Sequence, residues 1–317
     1  MAVEPQVQTG PPPGAATSRA GRSGLAALPW WQGWPPLVLL PAAVTLAVPP
    51  TWPRWAYMWA LAFAIYAGCK WLTWRRSPVQ GVPAWMHAGY LIGWPGLDVA
   101  AFLKPRQDFP PPRPGVTEWL FAGSKLALGV TLLFGVARLI PRQYPYLFGW
   151  VGMVGLILVL HFGSFHLFSC VWRRVGVEAK PLMNWPLASA SVSEFWGRRW
   201  NTAFRDLTHR FLFRPLSTRL GARWAISAGF FFSGVVHDLV ISLPSGGGYG
   251  GPSLFFALQG VAIFVERSRL GRQIGLGQGW PGWLFTMVVL VAPLYGLFHP
   301  PFVLEIVVPF LRALGAV

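Results

Sequence analysis

The chain alternates long apolar segments with shorter polar loops over most of its length. Several apolar segments reach the roughly 20 residues that a helix needs to cross a bilayer core of about 30 Å. The eight segments cover residues 35–49, 54–73, 117–139, 146–172, 223–243, 253–266, 281–298 and 301–315. This pattern predicts an all-α fold, a polytopic membrane helical bundle with about eight transmembrane helices and additional interfacial amphipathic helices. The first, sixth and eighth segments are short, so their full crossing is left open.

Composition supports a membrane location. The chain has 317 residues, of which 54% are hydrophobic and 11% are charged, whereas soluble domains carry about 25% charged residues. The net charge of +16 does not indicate nucleic-acid binding, because the basic residues lie in a few loops between apolar segments. Most of these loops fall on one side, which predicts that both termini are cytoplasmic and that the glycine-rich turn at residues 246–251 faces outside.

The chain divides into a tail and a membrane domain. Residues 1–28 are rich in Pro, Gly, Ala and Ser and lack an apolar run, so they are predicted to be a disordered cytoplasmic tail. Residues 29–317 form the integral membrane domain. Within it, residues 82–104 are apolar but broken by Pro95 and Gly96, which predicts an interfacial or re-entrant segment. Asp98 there is expected to cap a helix.

An amphipathic stretch follows the fourth apolar segment. Ser191 and Glu194 have the spacing of a capping box, and Pro215 is expected to end the helix. Aromatic and aliphatic side chains fall on one face and arginines fall opposite. Such a helix is suited to a membrane interface.

The fifth apolar segment carries an ionisable pair, His237 and Asp238. Ionisable groups inside a span are costly and usually mark a cavity or a functional site. Ser233 and Gly234 lie one turn before His237, and their small side chains are expected to leave room for a substrate. Asp238 is rotated by about 100° from His237, so it is poorly placed to orient the same ring.

Three short motifs carry a family resemblance. The segments FWGRRWN (Phe195–Asn201) and SGVVHD (Ser233–Asp238) resemble the paired motifs of the wax-synthase-like branch of the membrane-bound O-acyltransferase superfamily. The segment WPGLD (Trp94–Asp98) is similar to one in bacterial relatives, which suggests a bacterial inner or cell membrane. The resemblance covers about residues 85–300, and only these motifs are specific.

The resemblance implies an acyltransferase that moves a fatty acyl group from acyl-CoA, as co-substrate, to a hydroxyl acceptor, with no further cofactor and no metal. It implies that His237 is the catalytic general base and that Asn201 is its polar partner. Lipid or fatty alcohol is the expected acceptor, although sterol, terpenoid, glycan and secondary-metabolite hydroxyls stay open. Expected substrate-binding residues are Arg198, Arg199, Arg205, Ser233 and Gln259, with Gln259 alternatively bonding another helix.

Other interpretations remain at this point. A transporter or channel for a lipid or polar solute also uses ionisable groups inside the membrane, and an inactive membrane scaffold is a third reading. His161 and His166 are five residues apart, which does not suit a metal pair, and we expect no acid or cysteine cluster beside them. They are expected to pack between helices or to line a cavity, which leaves a substrate tunnel open. Lys125 is expected to snorkel or to pair with an acid such as Glu118, with contact to a substrate as a further alternative. Oligomeric state is not determined by the sequence.

Overall fold

The computed structural model describes residues 31–79, 81–104 and 111–316, and all regular structure within these ranges is helical. The predicted all-α fold is therefore confirmed. The predicted tail, residues 1–28, lies outside the described residues.

The helices are numbered here in chain order, and adjoining α-type and wider turns that form one continuous helix share a label. They are α1 (Pro35–Ala47), α2 (Arg54–Arg75), α3 (Ala84–Gly93), α4 (Val99–Leu103), α5 (Val116–Leu139), α6 (Pro145–Arg174), α7 (192–199), α8 (202–220), α9 (Ala222–Ser245), α10 (Gly251–Arg267), α11 (Arg269–Gln273), α12 (Gly279–Leu297) and α13 (300–313).

Four of these helices, α5, α6, α9 and α12, are long and apolar enough to cross a membrane. They coincide with the third, fourth, fifth and seventh predicted segments. Helices α1, α10 and α13 are shorter, as the lengths of their apolar segments suggested. A helical membrane bundle is thus confirmed, while the count of eight spans is not.

Small residues let the long helices approach one another closely. A Cβ added to Gly129 of α5 would lie 2.8 Å from the carbonyl oxygen of Gly155 in α6. A Cβ on Gly163 would lie 2.8 Å from the Cα of Leu126. Contacts this short exclude any side chain, so these glycines fix the register of α5 against α6.

Helices α9 and α10 pack in the same way. A Cβ on Gly234 would lie 2.8 Å from the Cα of Ser253. Gly234 therefore makes room for helix α10 and not for a substrate. This corrects the expectation that the small residues one turn before His237 leave space for a substrate. Residues 238–242, directly after His237, form a wide turn in which the N–H of Leu243 bonds to the carbonyl of Asp238.

The segment 82–104 is broken as predicted. Helix α3 ends at Gly93, and α4 begins after Asp98, whose carboxylate accepts a hydrogen bond from the N–H of Ala101 at 3.1 Å. Lys70 of α2 is only 2% exposed and donates to the carbonyl oxygens of Tyr90, at 2.7 Å, and Gly96, at 2.6 Å. These two hydrogen bonds from the buried Lys70 side chain hold the broken segment against α2.

The amphipathic stretch differs from the prediction in two ways. The Ser191 hydroxyl does accept from the N–H of Glu194, at 2.9 Å, so the predicted cap forms. The helix then breaks at Asn201, whose φ of +40° is left-handed. The helix that resumes after Asn201 continues past Pro215. The wide turn at 209–213 shifts the backbone hydrogen bonds, so the N–H that proline lacks is not needed there. Helix α8 instead ends at Gly221, with φ of +82°.

Candidate active site

A large cavity of about 1420 Å³ lies among these helices. Its wall includes side chains from all three motif segments: Trp94, Leu97 and Asp98, the aromatic residues of Phe195–Asn201, and His237. Segments far apart in the chain therefore meet at one site. The structure places the three sequence motifs around a shared space large enough for long apolar ligands.

The cavity has a polar part and an apolar part. Charged lining residues include Lys180, which is 79% exposed, so this part opens to solvent. Apolar residues line the remainder: Trp150, Met153, Val154, Ile157, Leu158, Phe255, Phe256, Met287, Leu290, Val291, Leu294, Leu297 and Phe298. A molecule with a charged head and a long hydrocarbon tail matches this division.

His237 lines the cavity and its ring is fixed in orientation. Its Nδ1 lies 2.7 Å from the carbonyl oxygen of Ser233. A carbonyl only accepts, so Nδ1 carries the proton and Nε2 keeps its lone pair. The ring also packs on Phe256, with centroids 4.5 Å apart. In the neutral ring this arrangement leaves Nε2 as the basic nitrogen, and Nε2 has no hydrogen-bond partner among the described residues.

Asp238 serves the structure beside His237. Its carboxylate accepts from the Ser242 hydroxyl at 2.8 Å, from the N–H groups of Gly250 at 2.9 Å and Ser253 at 3.0 Å, and from the Ser253 hydroxyl. These bonds tie the turn at 246–251 and the start of α10 to α9. As predicted, Asp238 does not hydrogen-bond to the His237 ring within the described residues.

Asn201 takes a position that the motif did not reveal. Its amide oxygen accepts from the N–H of Phe204 at 3.3 Å and caps α8. Its neighbours Trp200 and Thr202 line the cavity, but Asn201 is not among the lining residues. The structure gives Asn201 a capping role, and its predicted part in the chemistry stays a prediction.

The three predicted arginines have different surroundings. Arg199 pairs with Glu194 at 2.7 Å and also bonds the carbonyl oxygens of Asn184 and Trp185, so it fastens a loop and does not line the cavity. Burial alone would raise the pKa of Glu194, but the N–H of Ala190 and the Arg199 guanidinium together lower that pKa below its ordinary value.

Arg205 and Arg198 do line the cavity. Arg205 pairs with Asp206 at 2.5 Å, while burial raises the pKa of Asp206 against the pull of Arg205. Arg198 is exposed and makes no hydrogen bond or ion pair in the described part of the chain. Arg198 is therefore the arginine most available to an anionic ligand.

Ser233 and Gln259 lie behind the wall rather than on it. The Ser233 hydroxyl donates to the Gly229 carbonyl at 2.9 Å. Gln259 is fully buried, donates to the carbonyl of Val289 in α12 at 3.0 Å, and accepts from the Trp196 indole at 3.4 Å. The alternative in which Gln259 bonds another helix fits the structure, and neither residue reaches the cavity.

A second polar cluster lines the cavity, and the sequence did not predict that His166 joins Glu118 and Lys125 in it. His166 Nε2 lies 3.0 Å from Glu118, and His166 Nδ1 lies 2.7 Å from Lys125 Nζ. Arg173 also pairs with Glu118, and Cys170 lies close by. The expectation that His166 has no acid or cysteine beside it was wrong, because α5 supplies the acid from 48 residues away.

The ligand atoms of this cluster are spaced as in a metal site, but two cationic side chains already occupy it. Ligand atoms of Glu118, His166 and Cys170 lie within 4.8 Å of one another. Arg173 and Lys125 already bind the carboxylate and the imidazole, so a divalent cation would face two positive charges. We interpret the cluster as an ion-pair network. His161 is separate from it and stacks on Trp200, with centroids 6.4 Å apart.

Part of the chain matches a known protein family. Residues 179–258 match the model of the Membrane bound O-acyl transferase family. This segment of the chain is similar to the Membrane bound O-acyl transferase family. The match contains Phe195–Asn201 and Ser233–Asp238, so the resemblance predicted from these motifs is confirmed. The segment Trp94–Asp98 lies outside the match.

Curated relatives agree with the wax-synthase-like branch. A probable long-chain-alcohol O-fatty-acyltransferase 3 from Arabidopsis thaliana is 26% identical over 189 residues, which cover 52% of this chain and 50% of that protein. The long-chain-alcohol O-fatty-acyltransferase from Simmondsia chinensis is 30% identical over 139 residues, which cover 35% and 38%. A third, the probable enzyme 1 from Arabidopsis thaliana, is 31% identical over 159 residues, 44% of each.

These alignments span about half or less of the length of the curated relatives. The family and the apolar helices together make the chain an integral membrane protein. The relatives are plant proteins, so they give no support to the predicted bacterial membrane.

Proposed function

We propose that this chain transfers a fatty acyl group from acyl-CoA to the hydroxyl group of a long-chain alcohol, giving an ester and free coenzyme A. The observation that carries the proposal is His237, whose Nδ1 is bound to a carbonyl and whose ring lines a largely apolar cavity of about 1420 Å³. The names of the curated relatives support a fatty acyl group and a long-chain alcohol as the two reacting partners, and acyl-CoA as the donor is part of the proposal.

The chemistry follows from the free ring nitrogen. Nε2 of His237 takes the hydroxyl proton of the alcohol as its oxygen attacks the thioester carbonyl carbon. The tetrahedral intermediate collapses, the carbon–sulfur bond breaks, and the ester forms. The thiolate then takes the proton from the imidazolium, which returns His237 to its neutral state. The Ser233 carbonyl holds the proton on Nδ1 throughout, so the ring stays in one orientation.

The cavity walls suit both substrates. The apolar wall removes the acyl chain and the alcohol chain from water, at about 0.8 kcal/mol for each buried methylene. The open, charged part suits the nucleotide end of the donor, and Arg198 is the unpaired guanidinium there. Guanidinium groups bind phosphate through paired hydrogen bonds. Arg205 and Arg199 support this region through their own pairs with Asp206 and Glu194.

Orientation in the membrane is part of the proposal. From the distribution of basic loops we infer that both termini and the charged opening of the cavity lie on the cytoplasmic side. Tags at either end should be inaccessible to reagents outside sealed cells, and an engineered cysteine at residues 246–251 should be labelled from outside. External accessibility of the termini would contradict this topology.

The central experiment measures ester formation. Purified protein in lipid nanodiscs is given a long-chain acyl-CoA and a series of hydroxyl compounds, and ester products are identified by mass spectrometry. Long-chain alcohols should be the preferred acceptors. His237→Ala should lower turnover by about a hundredfold to ten-thousandfold, while the exposed residue His209 provides the matched control His209→Ala.

Other outcomes would favour other functions. No ester from any acceptor, or normal turnover by a folded His237→Ala protein, would overturn the proposal. Lipid or solute flux in liposomes without ester formation would indicate a transporter. Neither activity would indicate a scaffold.

A further inference from the structure

Lys125 lines the same cavity as His237 but belongs to a different helix and a different polar cluster. Lys125 lies inside span α5, where an ammonium group is costly unless it faces a partner or a cavity. Its Nζ lies 2.7 Å from His166 Nδ1 and 4.3 Å from the centre of the Phe121 ring. Neither contact supplies a negative charge.

The His166 ring holds this lysine in one position. A carboxylate accepts only, so the Nε2 of His166 at 3.0 Å from Glu118 carries the proton. In the neutral ring, Nδ1 then accepts from the Lys125 ammonium. In this hydrogen-bonded series Lys125 therefore donates to His166, and His166 donates to Glu118. The ammonium at one end of the series lies at the cavity wall.

The Glu118 carboxylate is bound to groups other than Lys125. Oxygen Oε1 of Glu118 receives both the His166 ring and the Arg173 guanidinium. Lys125 has no carboxylate within 4.0 Å among the described residues. An ammonium has three donors, and only one is used by His166, so the others remain for a ligand in the cavity.

Other cations of the cavity wall are paired or lie at its opening. Arg205 pairs with Asp206, and Lys180 pairs with Glu178 at 3.0 Å. Lys180 and Lys104 lower the pKa of Glu178, although partial burial opposes this shift. A carboxylate that is paired with lysines is expected to behave in this way. Lys125 thus differs from these groups in having unused donors inside a membrane span.

We propose that Lys125 binds an amide carbonyl oxygen of the pantetheine arm of the acyl donor. This inference rests on the proposed function. The arm carries two amides between the phosphates and the sulfur, and their carbonyls are neutral acceptors that suit an ammonium in an apolar wall. Of its two amides, the one farther from the sulfur is the expected ligand.

Helix geometry supports this placement. At about 1.5 Å per residue, Lys125 lies about 13.5 Å from the start of α5, and His237 lies about 22.5 Å from the start of α9. With both helices beginning on the same face, as in the proposed topology, the Cα of Lys125 lies about 9 Å nearer the opening than the Cα of His237. A thioester at His237 would then have its pantetheine arm passing Lys125.

Three donors of decreasing length test the proposal on the full protein. Acyl-CoA has the phosphates and both amides, acyl-pantetheine lacks the phosphates, and acyl-N-acetylcysteamine keeps only the amide near the sulfur. Lys125→Met should lower kcat/KM by about tenfold or more for the first two donors, as expected for a lost hydrogen bond from a charged group. It should leave the third donor nearly unchanged.

Two further variants complete the design. Arg198→Met should impair acyl-CoA alone, because only that donor has phosphates. Lys104→Met removes a lysine that is paired with Glu178 and does not line the cavity, and it controls for loss of positive charge. Should Lys125→Met not fold, Lys125→Gln keeps a donor with lower strength and should give the same order of donors with smaller effects.

The outcomes separate the two proposals. A wild-type protein that makes no ester from any donor refutes the proposed function. An active wild type in which Lys125→Met impairs only acyl-CoA shows a phosphate contact and overturns the pantetheine assignment. Equal loss with all three donors shows a structural role for Lys125 and overturns it as well.

Discussion

The contact between Gly234 and Ser253 allows a direct test of how the His237 helix is positioned. In Gly234→Ala the new Cβ would lie 2.8 Å from the Ser253 Cα, 3.2 Å from its Oγ and 3.3 Å from its Cβ. Carbon atoms in contact lie about 3.5–4.0 Å apart, so α9 and α10 must separate by about 1 Å. Overpacking of this kind costs typically about 1–3 kcal/mol of stability.

The same displacement should reach the chemistry. Ser253 binds Asp238, next to His237, and Phe256 of α10 packs on the His237 ring. A shift of about 1 Å in a catalytic group can cost about a hundredfold in rate. We therefore expect Gly234→Ala to melt at a lower temperature in detergent and to form ester about a hundredfold more slowly.

Gly229 of the same helix provides the matched control. A Cβ there would meet no atom within 4 Å, so Gly229→Ala should melt at or above the wild-type temperature and keep its turnover. Alanine is also the better helix former, by about 1 kcal/mol. Equal stability and equal turnover of the two variants would refute the packing argument.

Three further predictions concern supporting residues. Asn201→Asp should keep most activity if the side chain acts by capping, since aspartate also caps, whereas Asn201→Ala should cost about 0.5–2 kcal/mol of stability; loss of turnover in the folded aspartate variant would instead indicate that the amide N–H contacts substrate. Because the pKa of Glu194 is below its ordinary value of 4.5, its pairing with Arg199 contributes stability above that value and loses it as pH falls through the lowered pKa; thermal melts of wild type and Glu194→Gln should differ at neutral pH and converge in acid. Lys70→Met should increase amide hydrogen exchange at residues 94–98, because two carbonyls lose their donor; unchanged exchange would show that Lys70 does not hold this segment against α2.

Sequence reasoning located the catalytic candidate and the four long apolar helices because these depend on local patterns. An apolar run of sufficient length becomes a helix whatever packs against it, and an ionisable residue within it implies a cavity. His237, the caps at Ser191 and Asp98, and the break at Pro95 were all predictable in this way. Each depends on residues within one or two turns.

The rest depends on packing between distant segments. The meeting of Glu118 with His166 follows from the register of α5 on α6, which glycine contacts such as Gly129 on Gly155 determine. Apolar periodicity carries no information about a left-handed residue, so the break at Asn201 was missed. The role of Gly234 was misassigned because a small residue leaves room for a substrate or for a helix, and only the position of Ser253 decides.

The wide turn at residues 238–242 makes the length of α9 a functional variable. Such a turn accommodates one residue more than a regular helical turn. Deleting a single residue there would restore regular geometry and rotate everything that follows by about 100°. Ser242 would leave the Asp238 carboxylate, and the turn at 246–251 would lose its anchor. Single-residue insertions and deletions among relatives at this point should therefore accompany a changed loop at residues 246–251, while substitutions that keep the length should not.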